Sequence, residues 1–325
     1  MAPRLFITGV TGYIGGQFLD MLITKHPDYN ITGIVRTSSQ TEQLLARYPS
    51  LQLVTGDLDS TALLTEQSKL ADVVIQTADC DHASSITAIL QGLSDPSRSK
   101  KGTFIQLSGA ASIIDISTGY GQASPKIWDD IADLHEITHF PQTTIHAITD
   151  QLVLNSGLKL GVKTALLLPS IVYGKSDGIK KIGMGFPWLI DFAKKRGKAF
   201  MIGEGKSVTT AIHVKDLAAV LVWFTEEALA GGGKLDWGEK GVYYVEGGEY
   251  VFRDIVERIA KEMFDRGMIP SVEIEQITAE QATEMHPWGV FMWGSNMRSR
   301  AERLKGFGWE AKQAGIVDAV PEFFD

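Results

Sequence analysis

Short β-branched runs, most of them apolar throughout, recur along the chain with longer amphipathic segments between them. The runs are "RLFIT" (4–8), "ITGIV" (31–35), "LQLV" (51–54), "DVVIQT" (72–77), "TFIQL" (103–107), "TALLL" (164–168) and "VYYV" (242–245). Strands covered by helices on both sheet faces lack polar alternation, and these runs have that character. Helical spacing fits 13–24, 60–69, 83–93 and 146–156. The alternation predicts an α/β fold, a doubly wound parallel Rossmann sheet of about seven strands.

After residue 170 the texture changes. "YGKSDGIKKIGMGFPW" (173–188) is a glycine-rich loop leading to a helix at 188–197, and "HVKDLAAVLVWFTEEAL" (213–229) is an amphipathic helix. Further helices are predicted at 251–265 and 297–304, in a tail that also holds Trp288, Trp293 and Trp309. The predicted division is a dinucleotide-binding domain (1–170 and 212–246) and a smaller substrate lobe (171–211 and 247–325). No Pro- or Ser-rich linker separates them, so the two should be tightly joined.

Composition narrows the function. The 325 residues are 44% hydrophobic and carry a net charge of −8, which disfavours a nucleic-acid or anionic-membrane surface. Cys80 is the one cysteine, so intrachain disulfides and thiolate metal clusters are excluded. The start "MAPRLFITGV" lacks a signal-peptide layout, and no apolar run approaches the roughly 20 residues of a membrane helix. The expectation is a soluble, cytoplasmic protein acting on a small molecule, with no metal. Its oligomeric state is not readable.

The strongest chemical signal is "FITGVTGYIGGQFLDMLI" (6–23), a strand running into Gly9-x-x-Gly12-x-x-Gly15 and then a helix. Gly9 permits the tight turn, Gly12 admits backbone close to a pyrophosphate, and Gly15 lets the helix pack on the sheet. The helix N-terminus offers free N–H groups and a positive dipole end. The second strand ends "IVRTSS" (34–39), where an acidic residue would select NAD. Arg36 stands there instead, and a guanidinium fork suits the 2′-phosphate of NADP; a solvated surface arginine is the alternative. Asp57, with Leu58, follows the third strand, where the adenine edge would lie. His82, in "TADCDH" (77–82), lines the cleft or caps the next helix.

At these residues the chain resembles the extended short-chain dehydrogenase/reductase family. "TGVTGYIG", "GDLD", "LLPSIVYG" (167–174), "IHVKDLA" (212–218) and "NMRSRAERLKGFGW" (296–309) look like its landmarks over nearly the whole length. The resemblance implies a cofactor site made of Gly9, Thr11, Gly12, Tyr13, Ile14, Gly15, Arg36, Asp57, Leu58, Thr77, Ala78, His82 and Pro169. Tyr173 would face the nicotinamide end, or simply pack.

One departure is large. Family enzymes carry Tyr-x-x-x-Lys after the fifth strand, one helical turn putting proton donor and ribose clamp on one face. None of the eight tyrosines here has a lysine four residues on. Anchored on Asp150, the alignment puts Gln142 at the tyrosine position and His146 at the lysine position, and the usual serine or threonine beyond the fifth strand falls on Ser108, Gly109 or Ala110, of which only Ser108 carries a hydroxyl. The expected catalytic set is therefore His146, Ser108 and Tyr173. Three functions fit: an NADP(H)-dependent reductase of a small carbonyl or imine compound, a redox-neutral isomerase or cyclase with structural nucleotide, and a non-catalytic NADP(H) sensor.

Other residues have bland readings. "HEITH" (135–139) matches H-E-x-x-H, but Pro141 follows closely and no third ligand pattern appears, so solvated side chains are expected rather than zinc. Trp288 and Trp293 wall an aromatic pocket or fill the core. His213 is read as structural, and Trp128, Asp129 and Asp130 as a solvated acidic turn.

Overall fold

The computed structural model describes residues 2–324. Strands, in chain order, are β1 Arg4–Thr8, β2 Asn30–Val35, β3 Gln52–Thr55, β4 Val73–Gln76, β5 Thr103–Leu107, β6 Trp128–Asp129 and β7 Lys163–Pro169. There follow β8 Ile171–Tyr173, β9 Ala199–Ile202, β10 Val208–His213, β11 Val242–Val245, β12 Gly248–Val251, β13 Ile274–Ile277 and β14 Ser299–Arg300. The helices are α1 Tyr13–Lys25, α2 Ser38–Arg47, α3 Thr61–Leu70, α4 Ala83–Leu93, α5 Leu134–Thr138 and α6 Ala147–Leu160. After these come α7 Phe186–Arg196, α8 Val214–Leu229, α9 Phe252–Asp265, α10 Ala279–Met285, α11 Gly289–Gly294 and α12 Glu302–Gly306.

The main sheet is parallel with seven strands in the order β11-β7-β5-β4-β1-β2-β3, the doubly wound topology the pattern predicts. Strands β4 and β5 are buried along their whole length, as central strands between two helix layers must be. Helices α1 and α8 pack together, and α3, α4 and α6 form another packed set. The winding direction reverses between β1 and β4, which opens a crevice at their C-terminal ends.

A second core joins Phe186, Leu189, Phe200, Ile255, Ile259 and Trp293 around the short sheets β12-β10-β8 and β13-β9. Trp293 is therefore core. The tail does not belong wholly to this lobe, because Met297, Ala301 and Leu304 pack into the main core.

The helix expected at 297–304 is corrected to β14 followed by the short α12. Arg298 and Arg300 lie two apart in extended chain, so both reach one carboxylate, Glu249. The acidic turn is also corrected. Asp130 is fully buried, its carboxylate accepting the amides of Tyr244 (3.0 Å) and Arg303 (2.9 Å). Burial pushes its carboxyl up to about 7, with those amides pulling the other way. No helix among the described residues is long and apolar enough to cross a membrane.

Candidate active site

Gly9 leaves β1 at φ +79°, where a Cβ would stand 2.7 Å from Thr77, so the turn requires glycine. A Cβ on Gly15 would overlap the Gly9 carbonyl and the Thr77 hydroxyl, and Thr77 Oγ1 is held in place by donating to Thr8 O (2.7 Å). Gly12, the N-cap of α1, supplies no side-chain oxygen to the first-turn amides. Those amides and the helix dipole are left to an anion.

In front of this turn lies a cavity of about 480 Å³. Gly9, Thr11, Gly12, Arg36, Asp57, Leu58, Thr77, Ala78 and His82, all named from sequence, line it. Tyr13, Ile14, Gly15 and Pro169 do not. Tyr13 instead turns its ring away and donates its hydroxyl to Gly174 O (2.6 Å), Gly15 sets helix packing, and Pro169 closes β7.

Within the cavity, Arg36 is exposed and no carboxylate is paired with it among the described residues. Asp57 has its own partners, since Oδ1 accepts from Ser60 Oγ (2.8 Å) and Asp59 N (3.1 Å). The Ser60 hydroxyl, first of all, holds its carboxyl below the usual range. His82 does both things asked of it. It lines the cavity, and its Nδ1 caps α4 by accepting from Ser85 N (3.3 Å).

Further along the strand ends, side chains from β4, β5 and α6 converge. His146 Nδ1 lies 2.8 Å from Asp81 Oδ1, 3.1 Å from Oδ2 and 3.4 Å from Cys80 Sγ. Thr149 Oγ1 also donates to Asp81 (3.3 Å). The opposite ring nitrogen, Nε2, faces Gly109, where a Cβ would approach to 3.2 Å. His146 has φ 68°, the one non-glycine residue with positive φ among those described. That backbone costs on the order of 1–2 kcal/mol, a strain typical of functional sites.

The strain corrects the expected helix alignment. Helix α6 starts at Ala147 with His146 as its N-cap, so Gln142 and His146 do not share a helical face. No helical turn stands in for Tyr-x-x-x-Lys.

Behind the histidine, Ser108 touches the Asp150 carboxyl. Ser108 Oγ and Asp150 Oδ1 are buried with no partner in good hydrogen-bond geometry. Burial pushes Asp150 up to about 7, against the Ser108 hydroxyl and the His146 ring, which pull it down. Burial, with the carboxylates of Asp81, Asp150 and Asp79, pushes Cys80 up to about 12. Cys80 is thus a neutral thiol near neutral pH. Cys80, Asp81 and His146 bring metal-ligating atoms within 4.8 Å of one another, a group unrelated to "HEITH". A proton shared by Nδ1 and Asp81 accounts for the same geometry.

Tyr173 is not brought to this cluster by any contact in the structure. Its hydroxyl donates to Ala314 O (2.8 Å), its ring packs edge-on against His213, and burial raises its pKa. His213 is structural, capping α8 and pairing with Glu322. "HEITH" forms α5 and its C-cap. His139 Nδ1 lies 2.8 Å from His135 O, beside a separate cavity of about 650 Å³ that includes Gln142.

Sequence reasoning missed Cys80, Asp81, Thr149 and Gly109. "TADCDH" holds two of them, but only its histidine was weighed as a site residue.

Residues 5–92 match the family model for the NAD dependent epimerase/dehydratase family. The oxidase ucsJ of Acremonium sp is 31% identical over 95% of this chain and 93% of its own. An uncharacterized protein of Saccharomyces cerevisiae is 24% identical over 98% and 97%. Among solved structures, dTDP-glucose 4,6-dehydratase from Bacillus anthracis in complex with NAD superposes at TM-score 0.69, with 18% identity over 99% of this chain and 97% of that one. Vestitone reductase from alfalfa superposes at 0.63, with 15% identity over 99% and 96%. The chain belongs to the extended short-chain dehydrogenase/reductase family, enzymes built on a nicotinamide dinucleotide site.

Proposed function

We propose that the protein is an NADP(H)-dependent oxidoreductase that reduces a small carbonyl or imine compound, with His146 as proton donor. The carrying observation is that Asp81 pins His146 at Nδ1 while Nε2 faces the side-chain-free position at Gly109, next to Ser108. The residues fit a dinucleotide: the α1 N-terminus receives the pyrophosphate and Arg36 the 2′-phosphate. When bound, the dinucleotide supplies the hydride that reaches the carbonyl or imine carbon.

The chain's own groups supply the rest. His146 Nε2–H gives its proton to the substrate oxygen or nitrogen as negative charge develops there. Asp81 is a positioning residue, holding the ring by Nδ1 and stabilising the positive charge on it. Ser108, whose hydroxyl has no fixed partner, offers a hydrogen bond to the same substrate atom. In reverse, Nε2 takes the proton from an alcohol or amine. The relative named an oxidase makes that direction a second reading.

The test mixes NADPH with a panel of aldehydes, ketones and cyclic imines and follows nicotinamide absorbance. Consumption of NADPH is expected. In Asp81→Asn, kcat should fall about tenfold or more and the pH profile should move, while NADPH affinity holds. If product forms with no NADPH consumed, the redox-neutral reading replaces this one.

A further inference from the structure

Between the glycine loop and the second lobe runs a band of apolar side chains; Tyr120, Phe291 and Met292 rest partly buried against the second core, and Met184 and Trp288 stand exposed. It begins at Tyr13, the first residue of α1, whose ring lies against Gly183; a Cβ there would stand 2.8 Å from Cε1. Met184 follows, 65% exposed, and then Gly185, packed on the Met292 methyl. On α11, Phe291 meets Tyr120 edge-on at 6.4 Å and Trp288 at 6.0 Å, and Trp288 is 50% exposed. Both ends are tied to the reaction site. Tyr13 opens the cofactor helix, and Tyr120 lies in the loop that leaves β5 through Ser108.

Charge decides what such a surface accepts. Every arginine of the second lobe already has a partner inside the protein. Arg298 and Arg300 hold Glu249, Arg303 holds Asp236, and Arg196 holds Glu275. Arg258 and Arg266 share Glu262, and Arg253 donates to Glu204 O. Bidentate recognition of a nucleotide diphosphate relies on guanidinium forks, and none of these is left free to offer it. Lys175, Lys180 and Lys181 are the cations of the adjoining loop, and Lys181 Nζ is bonded to Asp177 O (3.1 Å).

We infer that the substrate is a planar, predominantly apolar carbonyl or imine compound without a phosphate, seated on Met184, Met292, Phe291 and Trp288. Aromatic rings and thioethers adapt to flat apolar ligands through stacking and polarisable contact. A patch of this kind left exposed marks a binding site more often than a bare surface. The inference rests on the oxidoreductase reading only for the identity of the reacting group.

The experiment measures binding to the NADPH-loaded full chain by ligand-observed NMR and tryptophan fluorescence. The probes are 2-acetylnaphthalene and UDP-glucose, and NADPH absorbance is recorded in parallel. The naphthyl ketone should bind, and its Kd should rise at least tenfold in both Trp288→Ala and Met184→Glu. These two exposed positions lie on separate segments, so a shared effect is not a folding defect. UDP-glucose binding more tightly than the ketone would overturn the inference, as would a ketone Kd unchanged in both variants. A dimer that Met184→Glu dissociates would also overturn it, assigning the patch to a second copy of the chain. Ketone binding with the expected variant losses but no NADPH oxidation leaves the substrate class standing and removes the reductase reading.

Discussion

The two ends of the cleft are built from different materials. At the adenosine end, backbone does the work: three glycines, a helix N-terminus and one arginine, within a span of 28 residues from Gly9 to Arg36. At the reactive end, side chains do it, from the exposed Asp81 to the buried Ser108, drawn from positions 80, 81, 108, 146 and 150. The first is local in sequence and open to solvent. The second exists only once β4, β5 and α6 are side by side. A fold that keeps its cofactor groove can therefore exchange its catalytic groups without disturbing it.

The largest effect should come from His146→Ala. Losing the proton donor should lower turnover roughly 10²–10⁴-fold, with NADPH affinity little changed because the histidine does not line the adenosine cavity. Stopped-flow kinetics with titration calorimetry separates the two. A variant that binds NADPH poorly yet turns over normally at saturation would make His146 a ribose clamp and erase the contrast between the ends.

That contrast also explains what was legible beforehand. The glycine spacing and the doubly wound parallel sheet can be read because each rests on neighbouring residues and a backbone rule. The catalytic positions could not be placed by helical spacing, because His146 adopts φ 68° and the helix begins after it. Spacing arguments assume a regular backbone, and this one is irregular at the residue that matters. Asp81 was hidden differently: an exposed-looking acid in "TADCDH" gains meaning only from a histidine 65 positions away. Asp130 reads as a surface acid for the same reason, its amide partners lying 114 and 173 residues off.

At the adenosine end, Arg36→Ala tests the arginine alone. A charge-assisted pair with the 2′-phosphate is worth roughly 1.5–3 kcal/mol, about one to two decades in Kd. Calorimetry should show NADPH preferred by the wild type and that preference lost in the variant, with NADH affinity unchanged. A wild type preferring NADH would mean that the guanidinium is only solvated.

Asp150→Asn sharpens the reactive end through pH. The ordinary carboxyl value is 3.8, and burial raises it here to about 7. Below 3.8 the group is neutral in folded and unfolded chains alike. As pH rises through this window the unfolded chain releases the proton first, so the wild type loses stability until about pH 7. The variant, always neutral, should gain on the wild type across that window by a few kcal/mol. Asp130 titrates similarly in both proteins and cancels in the difference. Parallel denaturation midpoints from pH 4 to 8 would show that the carboxyl is not desolvated.

The smallest effect is expected where the sequence first suggests metal chemistry. His135 and His139 hold their rings tilted against each other, centroids 4.4 Å apart on a single helical turn, and His139 Nδ1 is occupied by the His135 carbonyl at 2.8 Å. The pair borders the 650 Å³ cavity beside α5 and α6, which shares no lining residue with the cofactor groove. Both side chains are exposed and neither lines the cofactor groove, so with both replaced by alanine stability should stay within about 0.5 kcal/mol. Turnover and NADPH affinity should not move. Plasma emission analysis of the purified wild type should find zinc well below one equivalent. Zinc near one equivalent, lost with activity in the double variant, would transfer the chemistry to this cavity and dissolve the division between backbone-built and side-chain-built ends.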